Sequence, residues 1–380
     1  MRILIVSSYF GSVIGGALNF IKNITTELSL RGHTVILLLD DRYKKLFSEK
    51  EFNIIWFSST NLTSYSPSLS FLKIISKIEV DVIHLHGFMS FQTDYGAIVG
   101  FLRNIPVILT PHGSLLGYEH LHSSFFSKIP YHIHNIITFK LATRLSKEII
   151  STSKSEFQDC VKFGIEKKKI KLIPLSFSPP SNIPEKKISN RKKILFVGRI
   201  VPLKNLEILL KSIRIVKEEI PEIEFIIVGD EITGRLQGDE GYKQKLMLLV
   251  DELKIKDHVR FEGWKTGIEL WEIYQESDLF VFASTYENFG LPLLEAASFG
   301  IPLISTDVGV AQDIIDNNNG GEIILELDEH VYAKNIKKLL KDEIMYKKCS
   351  KYVQKSAQNF LIDTIVDKYE EIFLRIKKDG

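Results

Sequence analysis

Apolar and polar positions along the chain fall into a repeating two-part pattern. Short runs rich in Val, Ile, Leu and Phe, such as Ile3-Leu4-Ile5-Val6, alternate with longer segments whose apolar positions recur every three or four residues. A short continuous apolar run bounded by turn residues reads as a strand buried on both faces, and the longer periodic segments read as the helices that cover it. In the first half, strands are expected at 2–7, 33–39, 53–57, 81–85, 105–110, 147–152 and 169–173. Helices are expected at 16–31, 66–78, 88–102, 123–146 and 154–163. Strands and helices in alternation mean a parallel sheet with helices on both faces, and right-handed crossovers make it doubly wound. The fold class is therefore α/β.

The pattern breaks at Pro179-Pro180-Ser181-Asn182-Ile183-Pro184-Glu185-Lys186-Lys187, which lacks apolar periodicity and reads as a linker. It then restarts, with strands expected at 193–198, 223–229, 258–262, 278–282 and 301–305. Helices are expected at 203–219, 239–254, 266–276, 291–299, 328–341, 343–360 and about 362–377. Two Rossmann-like domains follow, at 1–178 and 190–361. Ligands of open α/β sheets bind at the carboxyl ends of the strands. The residues just after strands therefore carry the argument about function, and a cleft between the two domains is the expected place for a site.

Composition fits this picture. The 380 residues are 44% hydrophobic and 25% charged, ordinary for a globular protein, and too many for a single core. The net charge of +2 is unevenly spread. Residues 1–178 hold 20 Lys+Arg and 13 Asp+Glu, a balance of +7; the remainder holds 29 and 34, a balance of −5. A basic first half suits an anionic partner such as a phosphate-linked acceptor or a membrane surface, and equally suits a solvated Lys-rich face. The 120–147 stretch has the same two readings: an amphipathic surface or a core-facing helix. Cys160 and Cys349 show neither pairing nor metal spacing, which fits a reducing cytosol. The apolar run at the start is shorter than a signal peptide needs, and no run reaches the ~18 apolar residues of a membrane span. The expected location is the cytoplasm, including the inner face of a membrane. A nucleic-acid partner is not expected.

Four segments after strands carry chemistry. Gly15-Gly16-Ala17 opens the first helix, where glycines let backbone N–H groups approach a phosphate, or simply make a tight turn. Thr110-Pro111-His112-Gly113-Ser114 closes the strand at 105–110; His112 can hydrogen-bond a hydroxyl or phosphate, or cap a turn. Gly198-Arg199 and Lys204 flank the loop after the first strand of the second domain, where a guanidinium and an ammonium can both reach one diphosphate. The fourth is Tyr286-Glu287-Asn288-Phe289-Gly290-Leu291-Pro292-Leu293-Leu294-Glu295. Gly290 frees backbone N–H groups for a ligand, Pro292 suits the first helical turn, and the two carboxylates offer acceptors to sugar and ribose hydroxyls or act as caps. A carboxylate-pair glycosidase would leave Arg199 and Lys204 idle. Seven of the ten histidines lie between His84 and His134, several two apart, but no Cys or carboxylate completes a metal set, so no metal site is expected.

Taken together these motifs resemble family 4 of the retaining glycosyltransferases, glycosyl transferases group 1, with the GT-B fold. The resemblance spans nearly the whole chain, and its most specific part is the pair Glu287 and Glu295 with Phe289-Gly290 between them. It implies that the Gly15-Gly16 turn contacts the donor diphosphate and that His112 hydrogen-bonds the donor sugar. Arg199 and Lys204 would hold the diphosphate. Glu287 with the Phe289-Gly290-Leu291 backbone would grip the sugar, and Glu295 the ribose. It also implies that the last helix, about 362–380, returns to the first domain. Pro174-Leu175-Ser176-Phe177 stands where the family often has Pro-Asn-Gly.

The implied activity is transfer of a sugar from a nucleotide-diphosphate sugar to the hydroxyl of a carbohydrate or lipid-linked acceptor, without metal or other cofactor, in assembly of a cell-surface polysaccharide. No side chain stands out as a covalent nucleophile, which favours a front-face reaction. Rival readings are a non-hydrolysing nucleotide-sugar epimerase, a non-catalytic nucleotide-sugar-binding protein and, more weakly, a phosphorylase.

Overall fold

The computed structural model describes residues 1–7, 16–60, 65–117, 125–138, 140–178, 192–231 and 241–378. The chain divides into two compact units. Unit 1 comprises Met1–Ser176 and Ile362–Gly380, and unit 2 comprises Phe177–Leu361. The linker expected at 179–187 lies outside the described residues.

Unit 1 is built on seven strands: β1 (Arg2–Ser7), β2 (Thr34–Asp40), β3 (Ile54–Phe57), β4 (Val82–His86), β5 (Val107–Thr110), β6 (Glu148–Ser151) and β7 (Ile170–Leu172). Their order is β3-β2-β1-β4-β5-β6-β7, and every pairing is parallel. The described helices are α1 (Gly16–Leu30), α2 (Leu69–Ile75), α3 (Phe91–Leu102), α4 (Phe125–Ile137), α5 (Leu141–Leu145) and α6 (Lys154–Phe163). The apolar runs form strands because both faces are covered: Ile3, Leu4, Ile5 and Val6 of β1 are all buried. Ser90 caps α3 by accepting from Thr93 N, and Ser153 caps α6 by accepting from Glu156 N, each at 3.1 Å.

Unit 2 has six parallel strands: β8 (Lys192–Val197), β9 (Ile223–Val228), β10 (Val259–Gly263), β11 (Leu279–Phe282), β12 (Leu303–Thr306) and β13 (Gly321–Ile324). Their order is β10-β9-β8-β11-β12-β13. The helices are α7 (Leu206–Val216), α8 (Tyr242–Glu252), α9 (Gly267–Glu276), α10 (Leu291–Ser298), α11 (Ala311–Ile315), α12 (Glu329–Lys341) and α13 (Glu343–Ala357). A last helix, α14 (Ile362–Lys378), belongs to unit 1. Arg31 holds it there by ion pairs to Asp367 at 2.5 Å and Glu370 at 3.2 Å, while Arg375 bonds Glu148 at 2.9 Å.

The fold is two doubly wound sheets, as the pattern of apolar runs predicts, with three local differences. β13 was not expected: it is an edge strand that begins at Gly321 and carries Glu322 between its apolar residues, so its apolar run is too short to stand out. α11 has five residues, too few to show a period. The single helix expected at 123–146 is two helices, α4 and α5. Lys140 between them takes a left-handed φ of 55°, and its ammonium donates to the Phe163 carbonyl at 2.6 Å. Along α4, His134 turns inward and donates Nε2–H to Asp94 Oδ2 at 2.8 Å, whereas Ile133, Ile136 and Ile137 are exposed. α4 therefore presents an apolar edge to the outside rather than a purely core-facing helix. Among the described residues, no helix is long and apolar enough to cross a membrane.

Candidate functional site

In unit 2 the candidate residues gather where β8 and β11, adjacent in the sheet, end. The chain leaves β8 through Gly198 and Arg199, which is exposed, and turns through a 3-10 segment at Pro202–Lys204. Hydrogen bonds fasten this turn to the end of β11. Asn205, at a left-handed φ of 49°, donates its amide to Ala283 O at 2.8 Å. Thr285 N donates to Leu203 O at 2.9 Å. Ser284, fully buried, bonds the Tyr286 carbonyl at 2.8 Å and receives the Lys204 ammonium at 3.5 Å.

Lys204 is consequently 5% exposed, a rare state for a lysine without a partner. Its partner is Glu287, with which it forms a close ion pair, and its ammonium also lies 5.1 Å from the centre of the Phe282 ring. The two residues expected to serve diphosphate and sugar separately are thus one ion pair.

Beyond Glu287 the chain turns at Gly290, φ 81°, into α10, with Pro292 in its first turn. Phe289 is buried, and its carbonyl accepts from Val310 N at 2.7 Å. That contact needs Gly309: at φ 54°, a Cβ there would sit 2.3 Å from Phe289 O. Leu291 opens α10, whose first turn leaves backbone N–H groups without partners inside the helix. One turn further on, Glu295 Oε2 accepts from Tyr274 Oη at 2.7 Å. Burial raises the Glu295 carboxyl above its ordinary range, against the lowering effect of this hydrogen bond. Tyr274 is itself fully buried, stacked on Trp271, Phe280 and Phe299.

In unit 1, Gly16 is the first residue of α1, and Gly15 lies outside the described residues. His112 follows β5 in a turn where it and Gly113 have φ of 53° and 75°. Its ring lies against β4: His112 Nε2 lies 2.8 Å from His86 Nδ1, the rings stacked at 5.1 Å. His84, two residues earlier on the same face of β4, bonds Thr110 Oγ1 at 2.8 Å, with its ring 4.0 Å from that of His86. Phe20 of α1 and Tyr369 of α14 close the cluster. Burial lowers all three rings: His84 to about 3, His112 to about 4, and His86 well below the usual value. They are neutral at neutral pH.

The turn that carries His112 rests on a residue the motif reading missed. The Glu156 carboxylate is buried; Oε1 accepts from Gly113 N, and Oε2 accepts from Thr152 N at 2.6 Å and Thr152 Oγ1 at 2.7 Å. Burial raises its pKa, opposed by these bonds. Ser153-Lys154-Ser155-Glu156 has the spacing of a capping box, the one signal in the sequence that marks Glu156. Ser284 and Tyr274 were also missed, and nothing local in the sequence marks them; His86 stands out in the sequence only as half of the His84/His86 pair spaced by two, weighed for metal and not for a contact with His112. Among the described residues, no group of three or more His, Cys, Asp or Glu is disposed to hold a metal ion. Of the histidine pairs spaced by two, His132 and His134 lie on a helix, and His120 and His122 lie outside the described residues.

Comparison with known proteins covers both units. The family model "Glycosyltransferase Family 4" matches residues 14–177, and "Glycosyl transferases group 1" matches residues 180–356. The chain is 28% identical over 324 residues to the UDP-Gal:alpha-D-GlcNAc-diphosphoundecaprenol alpha-1,3-galactosyltransferase of Escherichia coli, covering 80% of this chain and 78% of that protein. It is 25% identical over 315 residues to the D-inositol 3-phosphate glycosyltransferase of Corynebacterium jeikeium, covering 79% and 74%. Among solved structures, HepE (Alr3699) of Anabaena in complex with UDP superposes with a TM-score of 0.80 at 22% identity, covering 99% of this chain and all of that one.

Proposed function

The chain belongs to family 4 of the GT-B glycosyltransferases, and from that premise we propose that it moves a sugar from a nucleotide-diphosphate donor to an acceptor hydroxyl with retention of anomeric configuration. The observation that carries this reading is the buried Lys204, clamped by Ser284 and Glu287 at the end of β8. An ammonium held there, with the exposed Arg199 on the same loop after β8, suits a leaving group that gathers negative charge as the anomeric C–O bond breaks. The first turn of α10 adds its N–H groups and the positive end of its dipole.

Glu287, bonded to Lys204, then accepts from a hydroxyl of the transferred sugar, and Glu295, oriented by Tyr274, accepts from the ribose. His112 and the Gly16 backbone of unit 1 serve the donor sugar and diphosphate. The acceptor hydroxyl attacks from the face that the diphosphate leaves and passes its proton to a departing phosphate oxygen, so that the new bond keeps the old configuration. Positive charge for the leaving group comes from Arg199, Lys204 and the helix end, so the reaction proceeds without a metal ion.

The acceptor belongs to the same proposal. The Escherichia coli relative is named for a diphosphoundecaprenol-linked acceptor, and a carbohydrate on a lipid carrier suits the +7 balance of residues 1–178 and the exposed Ile133, Ile136 and Ile137 of α4. Peripheral contact with the anionic cytoplasmic face of a membrane, during assembly of a surface polysaccharide, follows from it. Thermal-shift screening against UDP-, GDP- and ADP-sugars names the donor by selective stabilisation. Proton NMR of the product then reads the anomer: an unchanged configuration is expected, and an inverted one rejects the proposed mechanism.

A further inference from the structure

We propose that the lysine-covered faces of α12 and α13 in unit 2 form a docking surface for an anionic lipid bilayer. This surface is separate in sequence from the donor-site residues and from α4 of unit 1.

Charge in unit 2 is segregated. Residues 334–355 hold eight Lys and two acidic residues, a balance of +6. The other residues of unit 2 hold 17 Lys+Arg and 27 Asp+Glu, a balance of −10. Lysines that serve only solubility are mixed with acidic residues, and these are not. Helical spacing gathers them further. Lys334, Lys337, Lys338 and Lys341 recur every three or four residues and share one face of α12, opposite the buried Tyr332, Ile336 and Leu339. Ile344, Lys347, Lys348, Lys351 and Lys355 share one face of α13 in the same way, opposite the buried Cys349, Val353 and Ala357. The two faces adjoin. The groove lined by the α12 lysines continues to Ile344. Lys338 and Lys348, one from each helix, both oppose the rise that burial gives the Cys349 thiol, so both ammonium groups lie near one sulfur.

Part of this charge is neutralised within the protein. Lys337 and Lys341 share Glu219 at 2.5 and 2.6 Å, Lys338 meets Glu322 at 2.6 Å, and Lys347 pairs with Glu343. Lys334, Lys348, Lys351 and Lys355 are exposed and form no ion pair among the described residues. Cations clustered in this way are attracted to the negative potential of an anionic leaflet, each adding to the pull within a Debye length of it. The residue type indicates the partner. All eight cations are Lys and none is Arg. Reading a nucleic acid or a single phosphate favours the planar fork of Arg, whereas mobile headgroups are met by a flexible point charge. Ile344, 85% exposed beside the lysines, adds an apolar side chain able to enter the headgroup layer.

The test is co-sedimentation of the full chain with vesicles of phosphatidylcholine, alone or with about one third phosphatidylglycerol. Binding is expected to the anionic vesicles only, weakening as salt rises. A variant combining Lys334→Gln, Lys348→Gln, Lys351→Gln and Lys355→Gln loses only cations without an ion-pair partner among the described residues. Its partition onto anionic vesicles is expected to fall at least about tenfold, with the urea midpoint unchanged. Ile344→Asp, at an exposed position, is expected to weaken binding severalfold and gives a second reading of the same surface. No binding by the parent chain, equal binding to neutral vesicles, or an unchanged partition in the fourfold variant overturns the proposal. Tighter binding to a short DNA duplex than to anionic vesicles overturns it as well, in favour of a nucleic acid. Ile133→Ser with Ile136→Ser tests the α4 contact of unit 1 separately, so the two can fail independently.

Discussion

Lys204 and Glu287, 83 residues apart in sequence, meet as a partly buried ion pair at the ends of two neighbouring strands. Removing one member leaves the other charge in a site built for two. Lys204→Ala and Glu287→Ala should each lower kcat/KM by about a hundredfold or more, and each should also cost stability, by about 2–4 kcal/mol. The double substitution should cost less stability than the two single losses added, because no unpaired charge remains. Urea denaturation of the four proteins gives the coupling; strict additivity would mean that the pair does not act as a unit.

Arg199 should behave differently. It is exposed and forms no ion pair among the described residues, so Arg199→Ala should leave the unfolding midpoint within about 0.5 kcal/mol of the parent. Transfer should still fall by about a hundredfold if the guanidinium meets the diphosphate. Near-normal turnover in this variant would withdraw its role.

Tyr274 holds Glu295 through a single hydroxyl, so Tyr274→Phe removes one hydrogen bond while keeping the stacked ring. One such bond is worth about 1 kcal/mol, and a roughly fivefold rise in the donor KM with little change in kcat is expected. The effect should shrink with a 2′-deoxyribose donor, which offers Glu295 fewer hydroxyls. An equal effect on both donors would separate Glu295 from the ribose.

Gly309→Ala tests the packing behind the Phe289 loop. The substituted Cβ meets Phe289 O at a distance no real contact tolerates, on a backbone with positive φ. A loss of about 2 kcal/mol or more is expected, with weaker donor binding because the Phe289–Leu291 segment must shift. Retained stability would show that the loop adjusts freely.

The buried histidines make unit 1 sensitive to acid. Free rings titrate near 6.5, whereas His84 is held at about 3 and His112 at about 4. Between these values and 6.5 the unfolded chain binds protons that the folded chain does not, so stability falls as pH drops through that window. Each ring contributes up to about 1.4 kcal/mol per pH unit. Glu156 acts in the opposite sense: its raised pKa makes its contribution weaken as pH rises above about 4.5. Denaturation followed by Trp56, with Trp264 and Trp271 replaced by Phe, should show the slope, and His84→Asn should flatten it. An unchanged slope would exclude His84 as a source.

How much of this was legible in the sequence depends on distance along the chain. The strands were, because burial on both faces writes itself as unbroken runs like Asp278-Leu279-Phe280-Val281-Phe282. The loop residues were, because Gly290 and Pro292 mark a strand-to-helix turn in a few letters. The pairing of Lys204 with Glu287 was not, since it requires knowing that β8 lies beside β11. Nor was the backward turn of His112, which depends on a left-handed φ at a non-glycine residue and on Glu156 reaching over from α6. β13 and the break at Lys140 escaped for a simpler reason: both are shorter than the period that would announce them.

Unit 1 takes in chain from both sides of unit 2, which is one uninterrupted stretch between them. During synthesis, then, the second unit to be translated can be the first to finish. Until α14 emerges, Arg31 lacks Asp367 and Glu370, and Phe20 and His84 lack Tyr369. A ribosome that stops near Leu361 would release a chain in which unit 2 is whole and unit 1 still lacks the seventeen residues of α14, its histidine cluster open on one side.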